Sequence, residues 1–250
     1  MTAGQRAFRP GRRAVLLSAG GLAAGAAAAS VGWALSESSE ASPDPAVMPV
    51  VISPDDDLMR EHGVLKRVLL CYREMTARIQ AGRPLDAQDL HDAALIIHDY
   101  IEGFHEGLEE GYVFPRLVKA GQLTGTVTTL LLQHARGRVI TQFLLGQATP
   151  KGMASPGPRA RIAAAMQAFD RMYEPHEARE DTVVFPAFRQ IVPPDELADL
   201  GQQFADLEHQ QFGTDEFAAM VARVASIEQK LGIYDLAQFT PQVSQYTPPA

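Results

Sequence analysis

The sequence contains a single cysteine, Cys71, so no intrachain disulfide can form. Cys71 lies in the apolar run 68–72, which predicts a small buried side chain and not a reactive thiol. Basic residues are few, since 22 Lys and Arg stand against 30 Asp and Glu and the formal net charge is −8. No nucleic-acid partner is expected, because phosphate binding requires basic patches. The sequence also lacks long stretches in which apolar and polar residues alternate, the pattern that is typical of β-strands.

The N-terminal part of the chain is expected to lie outside the folded domain. Residues 1–35 are predicted to be an export signal, in which a basic stretch ending at Arg12 and Arg13 precedes an Ala- and Gly-rich apolar stretch. The twin arginine resembles the Tat signal, although Gly11 replaces its usual polar residue. A membrane anchor is the alternative. We therefore expect a periplasmic or extracytoplasmic protein, attached to the membrane only if this segment is uncleaved.

The rest of the sequence predicts an all-α fold. Residues 36–53 are rich in Ser and Pro and are predicted to form a linker, and a helical bundle is predicted at 54–232, followed by a tail at 233–250. Long helices with short connections are typical of an antiparallel four-helix bundle. The four main helices are predicted at about 54–80, 86–119, 123–148 and 158–191, with a fifth helical region at about 194–230. A kink is expected at Pro175, and Pro115 and Pro186 are expected to bend or end their helical segments.

Two segments of the chain repeat the pattern H-E-x-x-E-[E/D]-x-x-V-F-P. They occupy residues 105–115 and 176–186. Because residues i and i+4 lie on one face of a helix, each segment can present an imidazole and a carboxylate to the same point. The two pairs are His105 with Glu109 and His176 with Glu180. Nitrogen and oxygen donors of this kind suit iron, zinc or manganese.

A lone histidine precedes each copy of the pattern on the preceding apolar helix. His62 lies 43 residues before His105, and His134 lies 42 residues before His176. The chain is therefore interpreted as a duplicated helical hairpin whose halves bring four histidines and two glutamates together. Six donors over two metals leave about three each, which predicts an open site that takes an exogenous ligand. The alternative is a metal-free interaction protein with these residues exposed on amphipathic helices.

These residues resemble the hemerythrin-like, HHE cation-binding family over most of the chain after the linker. The resemblance implies a four-helix bundle with a non-haem di-iron centre, and the donor types leave zinc or manganese possible. The two glutamates would be candidates to bridge the irons. The implied ligands are His62, His105, Glu109, His134, His176 and Glu180.

Two features depart from the pattern of the oxygen-carrying hemerythrins. Arg138 stands four residues after His134, where the carriers have a second histidine. A guanidinium cannot ligate a cation, so Arg138 is expected to point away from the metals, pair with a carboxylate or hold an anionic ligand. The last carboxylate is Glu180 at i+4, although Asp181 keeps the carriers' i+5 spacing as an alternative. These departures favour the branch linked to sensing and peroxide handling.

The expected function is an exported di-iron protein that binds a small ligand such as oxygen, nitric oxide or peroxide. A di-iron peroxidase or catalase-like enzyme and an iron- or oxygen-sensing module are the alternatives, and the redox partner is left open. Glu106 and Glu177 follow the ligand histidines and are expected to be exposed, with a contact to the ligands as the alternative. Tyr173 is expected to pack in the core.

Overall fold

The computed structural model describes residues 52–213 and 216–243. The predicted export signal and nearly all of the predicted linker lie outside the described residues. Six long helices and no strand occur in the described part of the chain, which confirms the all-α bundle. They are α1 (Pro54–Gln80), α2 (Ala87–Leu95, Ile96–His105, Glu106–Leu108, Glu109–Val113 and Phe114–Lys119 in succession), α3 (Thr124–Gln147), α4 (Pro156–Arg179, Glu180–Val184 and Phe185–Ile191 in succession), α5 (Pro194–Phe212) and α6 (Glu216–Leu231).

The start of α1 follows from its local sequence. The Ser53 hydroxyl accepts a hydrogen bond from the backbone N–H of Asp56, and Pro54 fills the first helical position. Aspartates in the first turn favour the positive end of the helix dipole. The helix ends before Gly82, whose φ of +66° is unfavourable for other residues.

Helices α1 to α4 form the bundle, and α5 and α6 cover one side of it. Helix α4 packs on α1 and α3, and α2 packs on α1 and α3. Helix α6 lies against α1 and α2. The interior contains fully buried large side chains, which include Leu58, Leu65, Leu69, Met75, Phe169, Phe185 and Phe188. No helix within the described ranges is both long and apolar enough to cross a membrane.

The predicted fifth helical region is two helices instead of one. Helix α5 ends at Phe212 and is followed by Gly213, which has a φ of +95°. This backbone conformation is strained for residues other than glycine and is incompatible with continuing the helix. Helix α6 begins at Glu216. The predicted tail also contains a short 3₁₀ turn at Leu236–Phe239.

The prolines change the helical register without ending α2 or α4. Pro115 and Pro186 each follow a π-helical turn, at Glu109–Val113 and at Glu180–Val184. In both turns the N–H of the phenylalanine before the proline bonds to the carbonyl of the glutamate five residues back. A proline clashes with the i−4 carbonyl of a regular α-helix, and the wider π turn accommodates it. Helix α4 also continues through Pro175.

Candidate metal centre

The structure brings all six predicted donors together inside the bundle. They come from four helices, and each is at most 3% exposed. Two overlapping groups have donor atoms that all lie within 4.8 Å of one another. The groups are His62, His105 and Glu109, and Glu109, His134, His176 and Glu180. Their ligation of a metal remains a prediction.

Each histidine directs Nε2 towards a glutamate carboxylate. Glu109 lies close to His105 of its own helix and to His134 of the other half of the repeat. Glu180 lies close to His176 of its own helix and to His62 of the other half. Both carboxylates therefore lie between imidazoles of different helices. The Nε2–Oε distances are 3.6 Å for His105–Glu109, 3.4 Å for His134–Glu109, 3.2 Å for His176–Glu180 and 3.5 Å for His62–Glu180.

The opposite ring nitrogen of each histidine bonds to an acceptor outside this cluster. An acceptor at Nδ1 fixes the proton there and leaves the Nε2 lone pair free for a metal, which is the usual arrangement of metal-bound imidazoles. The Nδ1 partners are Asp181 for His62 at 2.7 Å, Glu61 for His105 at 2.8 Å, Glu110 for His134 at 2.9 Å and Gln133 for His176 at 2.8 Å.

Sequence reasoning missed this role for all four acceptors. The spacing predicts Asp181 only as an alternative ligand, whereas its carboxylate bonds to His62 Nδ1 and Glu180 faces the Nε2 atoms. A signal was present, because each acceptor is the immediate neighbour of a predicted donor. The neighbouring pairs are Glu61–His62, Glu109–Glu110, Gln133–His134 and Glu180–Asp181.

The phenylalanine of each V-F-P motif also has a partner in the other half of the repeat. Phe185 stacks on His62, with ring centroids 5.6 Å apart, and Phe114 stacks on His134 at 5.7 Å. Both phenylalanines are buried. They hold the lone histidines in place and exclude water from one side of the donors.

The glutamate carboxylates at the centre have no hydrogen-bond partner. Both oxygens of Glu109 and both oxygens of Glu180 are buried and unpartnered, and both residues are 0% exposed. A buried carboxylate needs a compensating positive charge, because the loss of hydration costs several kcal/mol. Either protonated imidazoles or metal cations can supply that charge. Imidazole nitrogen with carboxylate oxygen is a donor set that fits iron, zinc or manganese.

The same charges alter the pKa values of the metal-free cluster. Burial opposes protonation of His62, but its hydrogen bond with Asp181 and the nearby carboxylate of Glu180 outweigh burial and raise the pKa to about 9. Burial likewise opposes protonation of His105, and the carboxylates of Glu109 and Glu61 raise its pKa well above the usual value. Burial favours a neutral Glu180, yet the neighbouring imidazoles of His176 and His62 lower its pKa strongly. These pKa shifts favour protonated imidazoles at His62 and His105 beside an ionised Glu180 in the metal-free cluster.

The expectation that Glu106 and Glu177 are exposed is wrong, since each is 1% exposed. Cations from neighbouring helices offset their burial. Lys66 pairs with Glu177, and Arg138 Nη2 lies 2.7 Å from an oxygen of Glu106.

Arg138 takes one of the three outcomes foreseen for it, which is pairing with carboxylates. Its Nη2 lies 2.7 Å from both Glu106 and Glu110. Glu106, Glu110 and His134 form a third group of close donors. The guanidinium already supplies a positive charge there, so this group is a poor metal site.

Tyr173 packs in the core and also contacts the site. Its ring stacks on Phe169 with centroids 4.2 Å apart and lies 5.1 Å from the His176 ring. Its hydroxyl donates a 2.6 Å hydrogen bond to Glu106. Gly137 on α3 makes room for it, because a Cβ at Gly137 would lie 2.2 Å from the Tyr173 oxygen.

A cleft of about 230 Å³ between α3 and α4 is lined by one of the predicted donors, His176. Gln133, His176 and Arg179 contribute polar groups to its wall, and threonines, Leu130 and Pro175 complete the wall. A small molecule in this cleft would lie against His176.

The fold and the site together define a helical-bundle protein with buried His and Glu groups that could bind metal ions. The chain is 50% identical over 192 residues to the uncharacterized protein Rv1995 of Mycobacterium tuberculosis, and equally to the uncharacterized protein Mb2018 of Mycobacterium bovis. The matches cover 77% of this chain and 75% of each relative. The chain therefore belongs to the same family as these mycobacterial proteins. No protein-family model matches it, and no solved structure does.

Proposed function

We propose that this is a hemerythrin-like non-haem di-iron protein that binds two iron ions and a small ligand such as oxygen, nitric oxide or peroxide. One observation carries the proposal. The four carboxylate oxygens of Glu109 and Glu180 are buried without hydrogen-bond donors, and four imidazole Nε2 atoms face them. A pair of cations among these atoms would satisfy all of them at once.

In this proposal the residues divide into two positions that share their carboxylates. His62 and His105 would hold one ion and His134 and His176 the other. Glu109 and Glu180 would serve both ions. Iron, when bound by these residues, would supply a redox-active Lewis acid.

The protein's own contribution is to orient the donors and to limit access. The Nδ1 acceptors fix each imidazole with Nε2 directed inward. Phe114 and Phe185 cover the lone histidines. The cleft beside His176 has a volume of about 230 Å³, which suits small molecules better than metabolites with bulky groups.

The test is metal analysis together with an optical spectrum of the full chain purified without added metal. We expect about two iron atoms per chain and visible or near-ultraviolet absorption that changes on adding azide or nitric oxide. A His105→Ala variant should lose most of the metal, whereas a His98→Ala variant should keep it, because the His98 side chain is 42% exposed and bonds to Asp99. Protein that binds no metal, or zinc alone, would contradict the proposal.

The cleft at His176 also supports a second candidate, a peroxidase or catalase-like enzyme on the same centre. Peroxide fits a cleft of this size, and the cleft reaches one of the proposed ligands. Adding peroxide to iron-loaded protein and following oxygen evolution separates the two functions. Catalytic oxygen release that His105→Ala abolishes indicates the enzyme, and stoichiometric spectral change without release indicates a binding protein.

We also propose that the protein is exported. The support is the sequence of residues 1–35, with its basic start, its apolar stretch and the pair Arg12 and Arg13. Replacing both arginines with lysine should retain the protein in the cytoplasm. An unchanged distribution between cell fractions would argue against twin-arginine export.

A further inference from the structure

The two proposed metal positions are supported by different hydrogen-bond acceptors, although the repeat makes their histidines equivalent. We propose that the position of His62 and His105 binds divalent metal more tightly than the position of His134 and His176, so that the second position holds an exchangeable ion beside the cleft. This inference rests on the proposed function, since it requires both positions to bind metal.

The first difference concerns the Nδ1 acceptors of the histidines in the two H-E-x-x-E motifs. His105 Nδ1 bonds to the carboxylate of Glu61 at 2.8 Å, and His176 Nδ1 bonds to the amide oxygen of Gln133 at 2.8 Å. Glu61 is 0% exposed, and its other oxygen has no hydrogen-bond partner. A charged acceptor makes the imidazole a more basic ligand than a neutral amide does.

The second difference concerns the Nδ1 acceptors of the lone histidines, His62 and His134. It also favours tighter metal binding at the position of His62 and His105. His62 Nδ1 bonds to Asp181, and among the described residues this carboxylate forms an ion pair with His62 alone. His134 Nδ1 bonds to Glu110, whose same oxygen lies 2.7 Å from the Arg138 guanidinium. The arginine offsets part of the negative charge of that carboxylate, which weakens it as an acceptor for His134 in comparison with Asp181 for His62.

The inner donors are similar for the two positions, except that Glu180 belongs to the close donor group of His134 and His176 and not to that of His62 and His105. Each position has two imidazoles, and Glu109 belongs to both donor groups. Glu180 Oε2 lies 3.5 Å from His62 Nε2 and 3.2 Å from His176 Nε2. The carboxylates are thus shared, and the contrast between the positions comes from Glu61 and Asp181 on one side and from Gln133 and Arg138 on the other.

The cleft adds a kinetic consequence. Gln133 and His176 both line it, so the position with the weaker acceptors is the one next to the opening. We therefore expect the ion held by His134 and His176 to exchange faster than the ion held by His62 and His105, because neither of the latter residues lines the cleft.

The experiment is a titration of the metal-free full chain with zinc ions. The binding is measured by isothermal titration calorimetry in the presence of a competing chelator. The wild type should bind two ions in steps whose dissociation constants differ by about 10- to 100-fold, which is the usual effect of such acceptors. Glu61→Gln should weaken the tighter step by a similar factor. Gln133→Glu should strengthen the weaker step and bring the two steps together.

Two variants on the same helices control for the change of charge. Glu74→Gln on α1 removes a carboxylate that pairs with Arg78, and Gln142→Glu on α3 adds one at an exposed position. Neither should move either step by more than about threefold, since each lies away from the donors. Circular dichroism of each metal-free variant establishes that it is folded.

The outcomes separate the two proposals. Two equal steps in the wild type, or equal weakening of both steps by Glu61→Gln, overturn the inference and leave the di-metal proposal intact. The inference is also overturned if neither Glu61→Gln nor Gln133→Glu changes the dissociation constant of either binding step. Wild-type protein that binds neither zinc nor iron overturns both.

Discussion

Glu109 on α2 and His134 on α3 belong to opposite halves of the repeat, yet Glu109 Oε2 lies 3.4 Å from His134 Nε2. Glu180 and His62 make the equivalent contact at 3.5 Å. Each central carboxylate therefore joins the two helical hairpins. A metal ion at these contacts would bind the complete bundle and not either hairpin alone, which couples metal binding to folding.

Metal removal should therefore lower the melting temperature. A metal that binds only the folded state stabilises it by about 2.7 kcal/mol at a hundredfold excess over the dissociation constant. For a domain of this size, that corresponds to roughly 5–10 °C. Melting before chelation, after chelation and after metal is restored measures the effect. Equal melting temperatures, with metal loss verified by elemental analysis, would contradict the prediction.

Glu109→Gln should reduce the bound metal to one ion per chain or fewer. Both metal positions lose a charged donor, because Glu109 Oε1 faces His105 and Oε2 faces His134. A neutral amide oxygen is a weaker ligand for these cations. Elemental analysis after desalting measures the ratio. Glu74→Gln is the matched control and should keep the wild-type content, and full metal content in Glu109→Gln would exclude a shared carboxylate.

The sequence was sufficient to predict the four main helices and the convergence of the six donors. The i, i+4 spacing places His105 over Glu109 on any α-helix, and the matched spacing to His62 and His134 requires a second copy of the same hairpin. Capping residues such as Ser53 and the Gly82 turn fixed the helix ends within about two residues. These features are local, which is why the sequence reveals them.

The surroundings of the donors could not be predicted in the same way. Glu106 was expected to be exposed because an acid beside a ligand is most often solvated. Its burial depends on Arg138 and Tyr173, which come from α3 and α4. The Nδ1 acceptors likewise depend on ring orientation and on which helix faces which. Such contacts are set by tertiary packing, and no periodicity in one helix specifies them.

The metal-free protein should lose stability as the pH rises from about 6.5 to about 9. The pKa of His62 is raised from 6.5 to about 9 by folding. The stability that this shift contributes is fully present below the unfolded-state pKa of 6.5. It is lost as the pH rises through the folded-state pKa of about 9. The loss is on the order of 3 kcal/mol for this shift.

Urea unfolding of the metal-free protein at pH 6, 7.5 and 9 measures this slope. A His62→Gln variant should flatten it, whereas His98→Gln should not. Metal competes with protons for the imidazoles. The stability that bound metal adds should therefore increase as the pH rises. A metal-free stability that rises between pH 6.5 and 9 would contradict the prediction.

Arg138 should stabilise the fold through the buried carboxylate of Glu106. Arg138→Ala removes the ion-pair partner of that carboxylate and leaves it only the hydrogen bond from the Tyr173 hydroxyl, so a cost of about 1–2 kcal/mol in unfolding free energy is expected. In a Glu106→Gln background the same change should cost less than about 0.5 kcal/mol. Arg136→Ala, at an exposed position of the same helix, serves as the control. Equal costs of Arg138→Ala in both backgrounds would show that the pair is not coupled.

Gly137→Ala should destabilise the protein and weaken metal binding. The new Cβ would lie 2.2 Å from the Tyr173 oxygen. Tyr173 cannot move aside easily, because it is 1% exposed, stacks on Phe169 and donates to Glu106. Helix α3 must therefore shift away from α4, which would separate the donors on the two helices. Overpacking of this kind costs about 1–3 kcal/mol.

The same helix provides the control for this last prediction. A Cβ at Gly125 or at Gly146 would meet no heavy atom within 4 Å. Gly→Ala at these positions should be neutral or stabilising by up to about 1 kcal/mol, because alanine favours a helix. Adding Tyr173→Phe to Gly137→Ala should recover part of the loss, since it removes the nearest atom. If Gly137→Ala matches the wild type in both melting temperature and metal content, the close approach of α3 to Tyr173 does not hold the site together.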